Sequence, residues 1–252
     1  MSFKEHVQRF ETVESTMAEA LKAAQQGVHP GTTILATSQT AGRGRRGRDW
    51  FSAEGAGLFA TTVVYPKEPR DKVHQLSLVT GVAIHKALSK LGAKNALLKW
   101  PNDILVGTKK LCGILLECID VKTEESPGGH AVLIGYGLNL KSAQNVVLND
   151  EIKSLYVGMN ELSDAPTSID ACIELILEEL EAGIATWSQE GLAPTLDYWK
   201  SADALNGKTV QAQSGDGQIR GTACGLDSEG RLMLKDGETL KVVDSGEVFE
   251  IR

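Results

Sequence analysis

The sequence predicts an α+β protein in which a mostly antiparallel, mixed sheet with packed helices is followed by a small β-barrel. Three observations point there. Apolar, β-branched runs divided by turn residues recur through the first 140 positions, and two long stretches carry apolar residues at helical spacing. After Leu205 the texture changes to short strand-like runs broken by glycine-containing turns. A length of 252 residues suits one large domain and a small one, and the change of texture places them at 1–204 and 205–252.

Along the chain, Glu14-Ser15-Thr16 marks a helix start, with hydroxyls able to cap free amides, and Met17 to Gln26 continues it until Gly27. Thr32 to Thr37 and Leu58 to Tyr65 read as strands joined by an arginine-rich loop. Val73 to Leu91 repeats apolar residues at helical spacing and stops at Gly92. Strands follow at Ala96 to Lys99, Ile104 to Val106, Leu111 to Ile119 and Ala131 to Leu140, divided by turn chemistry that favours antiparallel pairing. Thr167 to Gln189 is an amphipathic helix opened by Asp164-Ala165-Pro166 and closed near Gly191, and a shorter helix spans Leu196 to Ala202. The terminal region, read as a separate small barrel, turns at Ser214-Gly215-Asp216-Gly217, Asp227-Ser228-Glu229-Gly230, Asp236-Gly237 and Asp244-Ser245-Gly246.

With 42% hydrophobic and 23% charged residues the chain has an ordinary globular composition, and its net charge of −7 argues against a surface adapted as a whole to nucleic acid or anionic membrane. Any anion must then be met by a local cluster. The N-terminus lacks a signal-like apolar core, and no apolar run of membrane-spanning length occurs, so a cytoplasmic location is expected. Cys112, Cys118, Cys172 and Cys224 are too scattered for a disulfide framework and read as free thiols. The five histidines form no zinc-ligand spacing and are expected mostly at the surface.

Three segments carry chemistry. Gly42-Arg43-Gly44-Arg45-Arg46-Gly47-Arg48 combines glycines, which let backbone amides approach a ligand, with arginine forks that suit phosphate and carboxylate. It is neither a Walker loop nor a GxGxxG turn. By itself it suits a solvated basic patch or an RNA segment as well as an anion clamp, and Trp50-Phe51 beside it could stack a nucleotide or a single-stranded base. The second segment is Lys99-Trp100-Pro101-Asn102-Asp103 and the strand beginning near Lys110. Strict alternation puts Lys110 with Cys112, Ile114 and Leu116 on one face, and Leu111, Gly113, Leu115 and Glu117 on the other, so that Lys110 heads a buried-looking face: either it is solvated at the turn or it points into a pocket, where it would need an anion, whereas Lys109 fits the solvated reading better. In the third, Gly135-Tyr136-Gly137-Leu138-Asn139, the glycines and Asn139 share a face cleared of side chains. Either a ligand lies against that backbone or the strand bulges there.

In this order and spacing, the segments from Ser15 to Asn139 resemble the catalytic domain of biotin protein ligases, the enzymes that attach biotin to biotin-dependent carboxylases and decarboxylases. The shared motifs are the opening hydroxyls, Gln-x-x-GRGRxGR-x-W, KWPND, K-L-x-G-(I/V)-L-x-E and GxGxN. The resemblance implies a class II synthetase-like catalytic domain with an SH3-like C-terminal barrel. It also implies conversion of biotin and ATP to biotinyl-5′-AMP with Mg²⁺, then transfer to a lysine of a biotin carboxyl carrier protein. By matching position, Ser15, Thr16 and Gln39 would contact the biotin ring. Gly42, Arg43, Gly44 and Arg45 would close over biotin and the adenylate, Lys110 would be catalytic together with both arginines, and Gly113 would lie against the ligand. Trp50, Arg45, Lys110 and Asn139 would meet the nucleotide, Trp50 by stacking on adenine, and Asn139 and Asp103 would stand on the metal side. Met17 departs from the family's asparagine at that place.

A lipoate ligase or octanoyltransferase would share the sheet but lacks the GRGRRGR and KWPND pair, and a non-enzymatic RNA-binding module is disfavoured by the net charge. With fourteen residues ahead of Ser15, a helix-turn-helix domain is not expected, and neither is DNA binding. Whether the chain forms a homodimer, its sequence leaves open.

Overall fold

The structure is a computed structural model and describes residues 2–51, 55–146, 150–162, 168–214 and 217–250. Seven strands form the main sheet: β1 (Val7–Val13), β2 (Thr33–Gln39), β3 (Gly57–Val64), β4 (Ala96–Lys99), β5 (Asp103–Val106), β6 (Lys109–Asp120) and β7 (His130–Asn139). Their spatial order is β1-β2-β3-β7-β6-β5-β4, antiparallel at every pairing except β1 with β2. The expected class and most of the strands are present. Unforeseen was β1, an edge strand whose middle residues are all exposed, so that it lacks the apolar alternation by which strands are recognised.

The two sheet faces are dressed differently. Helices α2 (Leu76–Lys90), α4 (Ile169–Glu190) and α5 (Ala193–Ala202) cover one face, the short α3 (Asp150–Ser154) falling between α2 and α4 in the chain. There α2 and α4 bury Leu76, Ile84, Leu88, Ile173, Ile176 and Leu180 against Leu98, Ile104, Ile114, Ile134 and Leu138 of the strands. The expected stop at Gly191 is real, with φ of 73° at the end of α4. Its expected opening residues, 164–167, lie outside the described residues, and the cap is Ser168, whose hydroxyl accepts from the Ala171 amide at 3.1 Å. On the opposite face, α1 (Thr16–Gln25) packs against β2, β3 and β7 through Met17, Ala20 and Ala24. It is too short to cover the rest, and a cleft remains over β6 and β7.

The terminal region is a five-stranded antiparallel sheet: β8 (Thr209–Ser214), β9 (Gly217–Leu226), β10 (Leu232–Asp236), β11 (Thr239–Val243) and β12 (Glu247–Glu250). Its order is β11-β10-β9-β8-β12, and no pairing among the described residues joins the two end strands. The turns at Gly230, Gly237 and Gly246 all have positive φ, as their sequences predict, whereas residues 215–216 of the first turn lie outside the described residues. The region packs against the rest of the chain. Val210, Leu232, Leu234 and Val248 belong to the same buried cluster as α2 and the main sheet, and the Trp100 indole donates to the Gly230 carbonyl at 3.0 Å.

The four cysteines are free, and among the described residues no helix is long and apolar enough to cross a membrane. The expected surface placement of the histidines needs correction, since only His74 is fully exposed while His85 and His130 are buried. His85 is held between the Ala96 carbonyl, 2.9 Å from Nε2, and the Tyr198 hydroxyl, 3.0 Å from Nδ1. A carbonyl only accepts, so Nε2 carries the proton and Nδ1 accepts from Tyr198. Burial holds this imidazole below its ordinary pKa, against the opposing effect of the Ala96 carbonyl. The unfolded chain therefore takes up a proton first on acidification, and stability falls as pH drops through the unfolded value of about 6.5 towards the folded one. We expect urea midpoints measured from pH 7.5 to 5 to fall more steeply for wild type than for His85→Gln; parallel slopes would refute this.

Candidate active site

The cleft is built from backbone outward. The α1 cap position is Ser15, as expected, but its hydroxyl makes no capping bond; instead the Thr16 amide and hydroxyl donate to Gln39 Oε1 at 2.8 and 3.2 Å. A side chain from β2 thus satisfies one of the free amides of the helix and holds Ser15, Thr16 and Gln39 together at one end of the cleft. Thr61 on β3, which sequence reasoning missed, donates to Thr16 Oγ1 at 2.9 Å. The Met17 side chain is buried among Ile34, Val63 and Leu133, and a Cβ placed on Gly135 would lie 2.8 Å from its terminal methyl.

Strict alternation misplaced Lys110. The β5–β6 register pairs Ile104 with Cys112 but Leu105 with Lys110, leaving Leu111 as an extra residue. This bulge turns Leu111 and Cys112 both into the helix-side core and swings Lys110 onto the Gly113 face, where its Nζ lies 2.9 Å from the place a Gly113 Cβ would take. The Lys110 backbone is tied down as well. Its amide donates to the Leu155 carbonyl at 2.6 Å, and its own carbonyl accepts from the Val157 amide at 3.2 Å and from Asn139 Nδ2 at 2.9 Å. Asp103, across the β5–β6 ladder, forms an ion pair with Lys110 Nζ at 2.7 Å. Lys109 is exposed, as expected.

Gly135, Gly137 and Asn139 do share the cleft face, while Ile134, Tyr136 and Leu138 enter the core. The cleared floor is occupied by Trp50. A Cβ on Gly137 would meet the indole at 2.5 Å and one on Gly113 would meet it equally closely. Lys110 Nζ stands 4.9 Å from the indole centroid. The arginine-glycine loop folds back on itself through Gly44 amide to Arg48 carbonyl at 2.7 Å and Trp50 amide to Gly42 carbonyl at 2.8 Å, which delivers the indole to that floor. Arg43 reaches Glu117 at 3.5 Å, and Arg45 Nη1 donates to Asn102 Oδ1 at 3.0 Å and to the Gly246 carbonyl at 3.4 Å. Burial, then repulsion from Arg46, lowers the Arg45 pKa, with Asp103 opposing.

Two adjoining cavities result. The smaller, about 60 Å³, collects Ser15, Thr16, Gln39, Arg43 and Thr61 at its polar end. The larger, about 360 Å³, is lined by Lys99, Asp103, Asn139, Tyr156 and, from the terminal sheet, Val248 and Phe249. Gly44, Arg45, Trp50, Asn102 and Lys110 line both. Sequence reasoning missed Asn102, although it sits inside the KWPND run, and missed Lys99 beside it. The contributions of Leu155, Tyr156 and Phe249 carry no local sequence signal. Among the described residues no group of three or more histidines, cysteines or carboxylates could hold a metal by itself.

Such a cleft is of the class in which two adjoining cavities meet at a shared lysine and arginine. Residues 9–139 match the biotin/lipoate A/B protein ligase family, and residues 206–249 match the biotin protein ligase C-terminal domain. The chain is 34% identical over 243 residues to the biotin–[acetyl-CoA-carboxylase] ligase of Paracoccus denitrificans, covering 94% of this chain and 97% of that protein. It is 31% identical over 244 residues to the bifunctional ligase/repressor BirA of Bacillus subtilis, covering 97% and 74% respectively. Among solved structures, the biotin protein ligase from Aquifex aeolicus in complex with biotin and ATP matches with a TM-score of 0.83 at 26% identity, over 98% of this chain and 99% of that one. The chain belongs to the biotin protein ligase family.

The indole on its glycine floor makes a direct prediction. Gly137→Ala places a methyl inside the present indole position and must displace it. Near-UV circular dichroism and tryptophan emission should change in Gly137→Ala, and the change should vanish in a Trp50→Phe background; a difference spectrum that survives that background would place the indole elsewhere.

Proposed function

We propose that this chain activates biotin with ATP to biotinyl-5′-AMP, releasing pyrophosphate, and then transfers biotin to a lysine of a biotin carboxyl carrier domain. The observation that carries this reading is the meeting of the two cavities at Lys110 and Arg45. Biotin occupies the smaller cavity, its ring facing Ser15, Thr16 and Gln39 and its carboxylate facing Lys110. ATP occupies the larger one, its α-phosphate at the junction and its base against the aromatic wall that includes Trp50. A carboxylate approaching a phosphate sets two anions together, and Lys110, Arg45 and Arg43 lower that repulsion and stabilise the charge that grows in transfer. A carboxylate oxygen attacks the α-phosphorus, the α–β bridging P–O bond breaks, and its electron pair leaves with pyrophosphate. The carrier amine then attacks the acyl carbon and AMP departs.

Because the smaller cavity is narrow and floored by Trp50, admission of biotin requires the indole and its loop to shift, and the loop glycines Gly42, Gly44 and Gly47 lend its backbone freedom for this. Re-covering the mixed anhydride keeps water away until the acceptor arrives. Asn139, whose amide nitrogen donates to the Lys110 carbonyl, and Asp103 would be the residues to meet a magnesium ion brought with ATP, and the ion would supply charge neutralisation there. Four free thiols agree with a reducing cytoplasm. The match to a biotin protein ligase C-terminal domain favours this reading over a lipoate ligase.

Incubation with biotin, MgATP and a purified carrier domain should add one biotinyl group to one carrier lysine by mass spectrometry; an active carrier left unmodified would sink the assignment. Lys110→Gln should slow biotinyl-adenylate formation by at least about 100-fold, and near-normal pyrophosphate release by that variant would count against its role. Arg45→Gly should speed dissociation of the adenylate by roughly tenfold while changing stability by under about 1 kcal/mol, because a half-buried loop arginine adds little to the core. Rapid-dilution retention assays beside urea melts check both halves.

A further inference from the structure

Lys99 is the one lysine in its charged neighbourhood left without a carboxylate. Three lysines and two carboxylates interact there: Lys99, Lys110 and Lys208 with Asp103 and Glu250. Asp103 is taken by Lys110 at 2.7 Å, and Glu250 is taken by Lys208 at 3.1 Å. Among the described residues no carboxylate comes within 4.0 Å of Lys99 Nζ. Burial, with repulsion from Lys110, lowers its pKa, so the site holds a cation at a cost that an anion would relieve.

Position narrows the choice of anion. Lys99 lines the larger cavity and not the smaller, and it does not stand at the junction where Lys110 and Arg45 meet both substrates. It therefore faces a part of the nucleotide beyond the α-phosphate. A base or a ribose offers a lysine only neutral acceptors, and the remaining anionic groups of ATP are its β- and γ-phosphates.

Resting on the ligase reading above, we propose that Lys99 binds the pyrophosphate moiety: it holds the β- and γ-phosphates of ATP in the ground state and receives the charge that builds on pyrophosphate as the α–β bond breaks. Its part ends when pyrophosphate leaves, because biotinyl-5′-AMP carries neither of those phosphates. That asymmetry separates Lys99 from Lys110 and Arg45, which face the α-phosphate throughout, and from a lysine that merely supports the strand turn.

The reverse reaction reads this directly. With biotinyl-5′-AMP and inorganic pyrophosphate, a pyrophosphate oxygen attacks the α-phosphorus, the biotin carboxylate leaves and ATP forms. Lys99→Met should raise the half-saturating pyrophosphate concentration by about tenfold or more, and Lys99→Arg should restore it to within about threefold, as expected for loss and return of a charge-assisted contact. Calorimetric titration of the protein with inorganic pyrophosphate should show the same loss without any turnover. Transfer of biotin from preformed biotinyl-5′-AMP to a carrier lysine should change by less than about twofold in Lys99→Met, because that ligand lacks the groups Lys99 meets. An unaltered pyrophosphate dependence in Lys99→Met overturns the proposal, and so does an equal loss in the transfer step. A wild-type protein that transfers biotin from the preformed adenylate but never makes ATP from it contradicts the activation step itself, a failure distinct from that of Lys99.

Discussion

A single extra residue in β6 decides where Lys110 stands. With regular alternation Lys110 would share a face with Cys112 and Ile114, which are sealed beneath α2 and α4. There a lysine would need a counter-ion inside a closed apolar layer, a position costing several kcal/mol. The bulge at Leu111 moves it to the opposite face, and the 155–157 segment and Asn139 then hold its backbone from two sides. The cleft follows from that placement. Glycines at 113 and 137 leave the floor bare beside the lysine, and their neighbours 112, 114, 136 and 138 keep the strands anchored in the core.

Charge in the cleft is arranged by unequal partnering. Lys110 is held by Asp103, Arg48 by Glu247 and Arg43 by Glu117, whereas Arg45 is met by the neutral Asn102 and a carbonyl, and Lys99 by no carboxylate among the described residues. A fully paired cluster would have to break a contact for each anion it admits, and a fully unpaired one would repel itself and loosen the loop. On the proposed reading, the mixture would give an incoming phosphate immediate partners at Arg45 and Lys99, while the paired cations stay oriented until the anion competes for them. A net charge of −7 is no obstacle to this, because the field that matters is local.

Much of this was legible in the sequence where the determinant is local. Val73 to Leu91, Ala96 to Lys99 and the alternation around Tyr136 all formed close to where their periodicity put them, because each buries a continuous apolar face. The exposed edge strand β1 carries no such face and left no signal. The face of Lys110 could not be read, since the bulge is set by how β5 meets β6 and leaves no mark on the apolar periodicity of either strand. Ser15 and Thr16 were recognisable as a helix start, but the group that satisfies the first amide, Gln39, is twenty-three residues away. Tyr156 and Phe249 reach the cleft through tertiary packing alone.

The terminal sheet shows why two regions that look separable in sequence act as one body. Trp100 follows Lys99 directly, and its indole is fixed by the Gly230 carbonyl of the terminal sheet, so the strand turn that carries Lys99, Asn102 and Asp103 is braced from there. The turn before β12 gives its Gly246 carbonyl to Arg45, and Glu247 pairs with Arg48, so the same sheet also grips the loop above the cleft. Floor turn and covering loop are thereby both tied to one sheet. On the proposed reading, a loop that lifts to admit a ligand would release its contacts at Gly246 and Glu247, whereas the bond from Trp100 to Gly230 involves no residue of that loop. The terminal region thus contacts both walls of the cleft, and its last strand lines the larger cavity.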